Sequence, residues 1–350
     1  METRQAAIIG CGAIHTCHVD ALRHVPGAVL RAVVDIDSEK GSRLAAEYGC
    51  HFYQDYREML LDEAIDVVHI CTPHYLHKPM ILAALAAGKQ VFCEKPVVMN
   101  PQEVDEIQAA AALAQRHVGV CYQNRLNPTS LAIQRCIEAG SLGTMHAMKA
   151  VLTWSRSGNY YAASPWRGSF ATEGGSLLIN QAIHTLDLMQ WFGAGVRRLK
   201  GVVDSTLLAN EIETEDSAMV TLCFNNGARG LFYASNCYAS DSPLLLEIEF
   251  ERGMLRLHDN ALWQICGDER ILLASDASPD GVGKSYWGIG HQQAVLHFYQ
   301  ALDNAATASF CDIREAAKSL QMVNTIYQSS LLRKWVNVNE RSLSDFSCCQ

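Results

Sequence analysis

The sequence predicts an α/β chain in two parts: residues 1–124 as an α/β domain with a parallel sheet, and residues 125–350 as an α+β domain with a mostly antiparallel sheet. Three observations carry this reading. Up to about residue 120, short apolar runs alternate with helical patterns, the mark of βαβ units. The turn Gly10-Cys11-Gly12 sits between the first such run and a helical pattern. From about Gly143 the runs lengthen and succeed one another through short turns such as Asn225-Asn226-Gly227. The length of 350 residues fits two domains at roughly 150 residues each.

Element by element, the first part offers strands at Ala6–Ile9, Leu30–Asp35, Asp66–Cys71, Gln90–Cys93 and Val118–Tyr122. Helices are predicted over His74–Ala87 and Pro101–Gln115, the latter with Asn100 as cap and Pro101 in its first turn. The second part offers strands at Met145–Trp154, Val196–Asp204, Ala218–Phe224, Arg229–Ser235 and Leu244–Phe250, interrupted by a helix over Ser176–Trp191. Two helical stretches, Gly290–Asn304 and Asp312–Trp335, close the chain and are expected to return onto the first domain.

The net charge of −9 argues against a general nucleic-acid binder, which needs a basic footprint. No apolar run approaches the roughly 18 residues of a membrane span. The opening METRQAAIIGCG lacks the apolar core and cleavage site of a signal peptide. The 13 cysteines are odd in number and lack paired spacing, which points to free thiols in a reducing, cytoplasmic compartment.

Gly10-Cys11-Gly12 has the strand-turn-helix context of a dinucleotide site. The first glycine allows the tight turn, and the second lets the backbone approach a pyrophosphate seated on the helix N-terminus. His15 occupies the usual third-glycine position, so the match is partial. Asp35 ends the second predicted strand, where a carboxylate accepts from ribose hydroxyls and repels a 2′-phosphate, favouring NAD over NADP. The plainer reading of Asp35 is a helix cap. Cys71-Thr72-Pro73-His74 ends a later strand and is expected to border the nicotinamide half. The pairs His15/His18 and His74/His77 have a spacing that metal ligands use, but neither has further partners, so no metal is expected.

Gly10-Cys11-Gly12-Ala13-Ile14 with His18, Glu94-Lys95-Pro96, and Glu173-Gly174-Gly175…Asn180…His184…Asp187 together resemble the Gfo/Idh/MocA oxidoreductase family over nearly the whole chain. The resemblance implies a Rossmann dinucleotide-binding domain followed by a domain with an open, mostly antiparallel sheet. It implies hydride transfer between a nicotinamide cofactor and a carbinol carbon of a sugar or cyclitol. It places the family's Lys on Lys95 and its His on His184, and it suggests a cis Lys95–Pro96 bond. The expected cofactor contacts are Gly10, Gly12, Ala13, Ile14, Asp35, Thr72, Pro73, His77, Glu94, Lys95 and Gln123.

Alcohol oxidation needs a base for the hydroxyl proton while hydride leaves the same carbon. A lysine beside a cationic ring, removed from water, has a lowered pKa and can hold or relay that proton. Asn180, His184 and Asp187 stand at i, i+4 and i+7, one face of a regular helix. Gly174-Gly175 would allow close approach to a ligand at its start. Many relatives carry Asp where this chain has Asn180, and an amide is no base. The proton therefore falls to His184 or Lys95, with either assignment open, and Asp187 orients the helix or His184.

The segment Trp154–Gly168 is aromatic and carries arginines, which suits sugar faces and anionic groups. From it Tyr161, Trp166 and Arg167 are the expected substrate contacts, with Asn180 and Arg125. Tyr286, Trp287 and His291 are further candidates for closing the pocket. The expected partners are a carbohydrate-like small molecule and a second copy of the chain, as homodimer or homotetramer through the open sheet. Two other readings stand beside a dehydrogenase: a redox-neutral glycoside-processing enzyme working through a 3-keto intermediate on tightly held NAD, and a non-catalytic NAD-binding regulator.

Overall fold

The computed structural model describes residues 2–276, 289–304 and 309–338. The first sheet comprises β1 (Arg4–Ile9), β2 (Ala28–Val34), β3 (His51–Tyr53), β4 (Val67–Ile70), β5 (Gln90–Glu94) and β6 (Val118–Cys121). All pairs are parallel, in the order β3-β2-β1-β4-β5-β6. Helices cover both faces, so β4 and β6 are buried at every residue and read as continuous apolar runs rather than as an alternation. β3, absent from the sequence reading, is a three-residue edge strand without a fully buried residue, too short and exposed to leave a pattern. The strand order reverses between β1 and β4, which opens a crevice at their carboxyl ends.

Caps set the local starts. Asp37, not Asp35, caps the helix Ser38–Tyr48, accepting from the Lys40 N–H. Asn100 and Glu103 form a reciprocal capping box over a 3₁₀ turn, Pro101–Glu103, that leads into the helix Val104–Ala114.

The second sheet has nine strands: β7 (Met145–Thr153), β8 (Val196–Asp204), β9 (Ser217–Phe224), β10 (Arg229–Ser235), β11 (Leu245–Phe250), β12 (Gly253–His258), β13 (Ala261–Cys266), β14 (Glu269–Ser275) and β15 (Val336–Asn337). Their order is β14-β13-β12-β11-β7-β10-β9-β8-β15. Every pair is antiparallel except β7 with β10, where Thr153 lies opposite Ser235. One face buries Val220 and Leu222 against the helices Ile183–Phe192 and Ile313–Leu332; the other leaves Val202, Met219 and Leu231 exposed.

Both closing helices meet the first domain: Gly290–Asp303 buries Val295, Phe298 and Tyr299 against Val19 and Leu22, and the start of Ile313–Leu332 meets β6, where the Val120 N–H donates to the Cys311 oxygen at 2.8 Å. Ile313–Leu332 lies mainly along β8, where the Gly201 N–H donates to Ser329 Oγ at 3.0 Å. The expected helix Ser176–Trp191 is broken: a π turn over Leu177–Gln181 precedes the α-helix Ile183–Phe192. Glu215 Oε1 accepts from the Ser176 and Leu178 N–H groups, so the opening of this segment is set by a side chain from the loop before β9.

Candidate active site

A cavity of about 1180 Å³ lies between the carboxyl ends of the first sheet and the start of the Ile183–Phe192 helix. The first sheet contributes Gly10, Gly12, Ala13, Ile14, Asp35, Thr72, Pro73, Glu94, Lys95 and Gln123. The remainder contributes Trp154, Arg156, Tyr160, Trp166, Arg167, Asn180 and His184. The cavity thus gathers both candidate proton carriers, Lys95 and His184.

Gly10 has φ +93°, and a Cβ there would stand 2.6 Å from the Cys71 carbonyl oxygen, so the β1 turn closes against the end of β4. A Cβ on Gly12 would meet nothing within 4 Å, because that position faces the open cavity. The helix His15–Arg23 starts just beyond it. Bare backbone, a helix start and the Asp35 carboxylate therefore line one side, a donor and acceptor set that fits a dinucleotide. Asp35 accepts from the Cys11 N–H at 2.8 Å and the Asp37 N–H at 2.9 Å, and pairs with the Lys40 ammonium at 2.9 Å. Burial pushes its pKa up, but these partners hold it below the usual carboxylate range.

Lys95 follows β5, and its peptide bond to Pro96 is cis. Its ammonium donates to the Asn180 backbone oxygen at 2.8 Å and to Asn180 Oδ1 at 3.3 Å. Burial lowers the Lys95 pKa, while Glu94 and Glu173 oppose the shift. Asn180 Nδ2 donates to Glu173 Oε1 at 2.5 Å, and the Gly168 N–H donates to Glu173 Oε2 at 2.6 Å. Burial pushes the Glu173 pKa up to about 7. His184 lies edge-on to Tyr122, and its Nδ1 is buried without a hydrogen-bond partner among the described residues. Burial and the nearby Lys95 push its pKa well below the usual range, so the imidazole is neutral and able to accept a proton.

Glu94 roots the site in the first sheet. Its carboxylate meets His18 Nε2 at 2.9 Å; His18 Nδ1 meets His69 Nδ1 at 2.9 Å, and His69 Nε2 meets the Tyr299 hydroxyl at 3.1 Å. Burial works against the charged carboxylate, but the His18 contact holds the Glu94 pKa well below its usual range. His18, Glu94 and Cys121 are the one group of three potential metal ligands among the described residues; both His18 nitrogens are already engaged by Glu94 and His69.

Several expected contacts stand elsewhere. Arg125 is absent from the cavity lining: its Nε and Nη2 donate to the two Asp187 oxygens at 2.6 and 2.7 Å, which also removes Asp187 from the Asn180/His184 face. His77 lies behind the cavity wall, its ring nitrogens 2.7 and 2.8 Å from the backbone oxygens of Pro96 and Thr72. It therefore braces two lining segments rather than lining the cavity itself. Tyr161 turns inward, its hydroxyl accepting from Asn236 at 3.0 Å, and its neighbour Tyr160 takes the cavity position. Gly174 and Gly175 make room not for a ligand but for the chain: a Cβ on Gly175 would lie 2.2 Å from the Tyr327 hydroxyl. His291 is buried in the first turn of its helix and is not a lining residue. Tyr286 and Trp287 lie outside the described residues.

Other lining residues escaped the sequence reading. Tyr160 and Arg156 lie in the quoted aromatic segment, where alternation of inward and outward side chains is irregular. Arg167 stacks on Tyr160 at 4.2 Å and lies over Trp166 at 5.5 Å, which holds the guanidinium at the cavity wall. His74, in the turn that the sequence placed beside the nicotinamide half, also lines the cavity; it touches Trp166 edge-on and donates from Nδ1 to the Glu173 backbone oxygen at 2.7 Å. The cysteines do not join this chemistry: all eleven that are described are free thiols, and burial pushes Cys71 and Cys93 well above their usual pKa. Among the described residues, no helix is long and apolar enough to cross a membrane.

Comparison with known proteins agrees with this architecture. Residues 4–122 match the oxidoreductase family with an NAD-binding Rossmann fold, and residues 130–256 match the GFO/IDH/MocA C-terminal domain. The chain is 31% identical over 225 residues to an uncharacterized oxidoreductase, YrbE, of Bacillus subtilis, covering 63% of this chain and 64% of that protein. It is 25% identical over 230 residues to the myo-inositol 2-dehydrogenase of Thermotoga maritima, covering 64% and 66%. The chain thus spans somewhat under two thirds of the length of these curated relatives. Among solved structures, the WlbA dehydrogenase from Bordetella pertussis, in complex with NADH and UDP-GlcNAcA, superposes with a TM-score of 0.83 at 25% identity, covering 96% of this chain and 99% of that one. A six-stranded parallel sheet with a glycine turn at its switch point, followed by a nine-stranded sheet that carries the Asn180–His184 segment, makes this chain a member of the Gfo/Idh/MocA oxidoreductase family.

Proposed function

We propose that this chain is an NAD-dependent dehydrogenase that moves a hydride between the nicotinamide and a secondary carbinol carbon of a sugar, sugar acid or cyclitol. The observation that carries this reading is the meeting of Lys95 and His184 in the cavity into which the Gly10–Gly12 turn opens. The relatives add support, since one is named for myo-inositol and a solved neighbour holds a sugar-acid nucleotide with NADH. Gly10, Gly12, Ala13, Ile14, Asp35, Thr72, Pro73, Glu94 and Gln123 would hold the cofactor. When bound, it supplies the hydride acceptor.

The chain's own residues handle the proton. In the oxidising direction the carbinol C–H bond breaks with its electron pair leaving as hydride, and the hydroxyl proton passes to a base. Burial disfavours the charged forms of both Lys95 and His184, which raises the unprotonated fraction of each that is available as a base. We assign His184 as the base, because its neutral ring has an unengaged buried nitrogen, and Lys95 as the donor that positions the substrate oxygen. Arg167, held by Tyr160 and Trp166, faces a polar or anionic part of the substrate. Asp35 selects NAD over NADP by repelling a 2′-phosphate. A second copy of the chain covers the apolar face bearing Val202, Met219 and Leu231, and residues near 124 and 125 divide the two domains.

The test is a panel of free sugars, sugar acids, inositols and glycosides with NAD⁺, followed by NADH absorbance and by product analysis. Formation of a keto product with matching NADH supports the proposal. A glycoside cleaved without net NADH would replace it with the redox-neutral alternative, and absence of either across the panel would overturn it.

A further inference from the structure

Glu173 does not line the cavity, yet it touches the proton machinery from behind. It is completely buried, at 0% exposure, in the turn before the π segment. Its two carboxylate oxygens have different partners: the Gly168 N–H at 2.6 Å and the Asn180 side-chain amide at 2.5 Å. An ionised carboxylate only accepts. It therefore requires the Asn180 NH₂ group to face it, which turns Oδ1 the other way, toward Lys95 Nζ at 3.3 Å. With the amide flipped, two donors would face each other across that gap. The Glu173 backbone oxygen meanwhile receives the His74 ring N–H, so one residue fixes two cavity-facing side chains.

We propose that Glu173 is a positioning residue for the hydride-transfer site: its carboxylate aims the Asn180 carbonyl at Lys95 and sets how tightly Lys95 holds a proton. This inference rests on the proposed dehydrogenase reading for its purpose but not for its test. The geometry makes Lys95–Asn180–Glu173 a three-membered chain in which charge at one end is felt at the other, in a site removed from water. Loss of the negative charge at Glu173 frees the amide to rotate and withdraws a stabilising anion from the ammonium.

The groups around Glu173 define its titration. Glu215 faces it from the loop before β9 and disfavours its charge, while Arg167 from the aromatic segment favours it. Lys95 stands beyond Asn180, and the Tyr161 and Tyr327 phenols complete the surroundings. Within this setting burial places the carboxyl at about 7, so Glu173 changes charge near neutral pH.

The experiment is a pH titration of the full chain by NMR, without substrate. Lysine is labelled with ¹⁵N and glutamate with ¹³C, and the two signals are assigned with Lys95→Arg and Glu173→Asp. The expected result in the unsubstituted protein is a Glu173 carboxyl midpoint near 7 and a step in the Lys95 signal at that same pH. In Glu173→Gln the step disappears and the Lys95 midpoint falls, by about one pH unit if the charge acts as a close partner. Glu173→Asp retains a coupled step. A Lys95 signal that ignores the Glu173 titration overturns the inference, in the unsubstituted protein and therefore even if Glu173→Gln fails to fold. A Lys95 midpoint unchanged in folded Glu173→Gln overturns it equally. The dehydrogenase proposal stands or falls separately, on product formation.

Discussion

Arg125 grips Asp187 with two parallel hydrogen bonds, of 2.6 and 2.7 Å, inside the protein and away from the cavity. Asp187 also accepts from Ser319 Oγ at 2.6 Å, which ties in the Ile313–Leu332 helix. The pair therefore joins three segments: the turn after β6, the Ile183–Phe192 helix and the Ile313–Leu332 helix.

Arg125→Ala should cost about 3–5 kcal/mol of stability, because it leaves the buried Asp187 carboxylate without its main partner. Urea denaturation measures this loss. A stable variant with a raised KM would restore the substrate role that the sequence suggested.

Lys95→Ala should leave NADH affinity within a few-fold of the parent and nearly abolish hydride transfer, while His184→Ala should do the same. NADH fluorescence titration and single-turnover kinetics separate the two effects. Full turnover in either variant would remove that residue from the proton-handling role.

Asp35→Ser should weaken NAD and improve NADP. The structure adds a reason: the Lys40 ammonium, now 2.9 Å from Asp35, would be released toward the position of a 2′-phosphate. A shift in the NAD/NADP affinity ratio of about tenfold, or roughly 1.4 kcal/mol, is expected by calorimetry. An unchanged ratio would remove Asp35 from the ribose site.

Asn180→Asp places a second carboxyl 2.5 Å from Glu173 Oε1. Two carboxylates so close cannot both ionise, and one takes a proton near neutrality. The fold should survive, and the near-neutral limb of the kcat–pH profile, set in the parent by Glu173 alone, should move to higher pH. A profile identical to the parent would mean that the two groups do not meet in solution.

Glu173 also makes stability depend on pH. A carboxyl binding its proton more tightly in the folded state favours folding below its unfolded pKa near 4.5, and that advantage is lost as pH rises to about 7. Glu173→Gln cannot ionise, so the parent's stability should fall relative to the variant across pH 4.5–7. Parallel denaturation curves at several pH values check the slope; equal slopes would place the Glu173 pKa near its ordinary value.

Part of each sheet was legible because its residues pattern locally: β8 and β10 coincide with their predicted bounds, whereas β3 and β12 to β15 were not read. The pairing of a glycine turn with a strand-end Asp was legible too. What escaped the sequence depends on contacts far along the chain. Arg125 looked ready for a substrate because nothing nearby in sequence reveals Asp187, 62 residues on. The exchange of Tyr161 for Tyr160 turns on Asn236, and the break in the predicted Ser176 helix follows a segment whose start is capped by Glu215. Spacing of 3.6 residues per turn cannot foresee a π turn that a distant carboxylate helps to open.

The parallel pairing of β7 with β10 has a topological consequence. Parallel neighbours cannot be joined by a hairpin, so the chain must make a long excursion between them. Tyr160, Trp166, Arg167, Asn180 and His184 all lie on the first leg of that excursion, after Thr153 and before Val196. The Ser155–Cys237 bridge and the Trp154 N–H, which donates to the Ser235 oxygen at 2.8 Å, tie the start of that leg to the sheet, and the Ile183–Phe192 helix packs on the sheet at its end. These cavity-lining residues therefore form a cassette held between fixed anchorages. Substitutions in it need not disturb the register of the first sheet or of the nine-stranded platform.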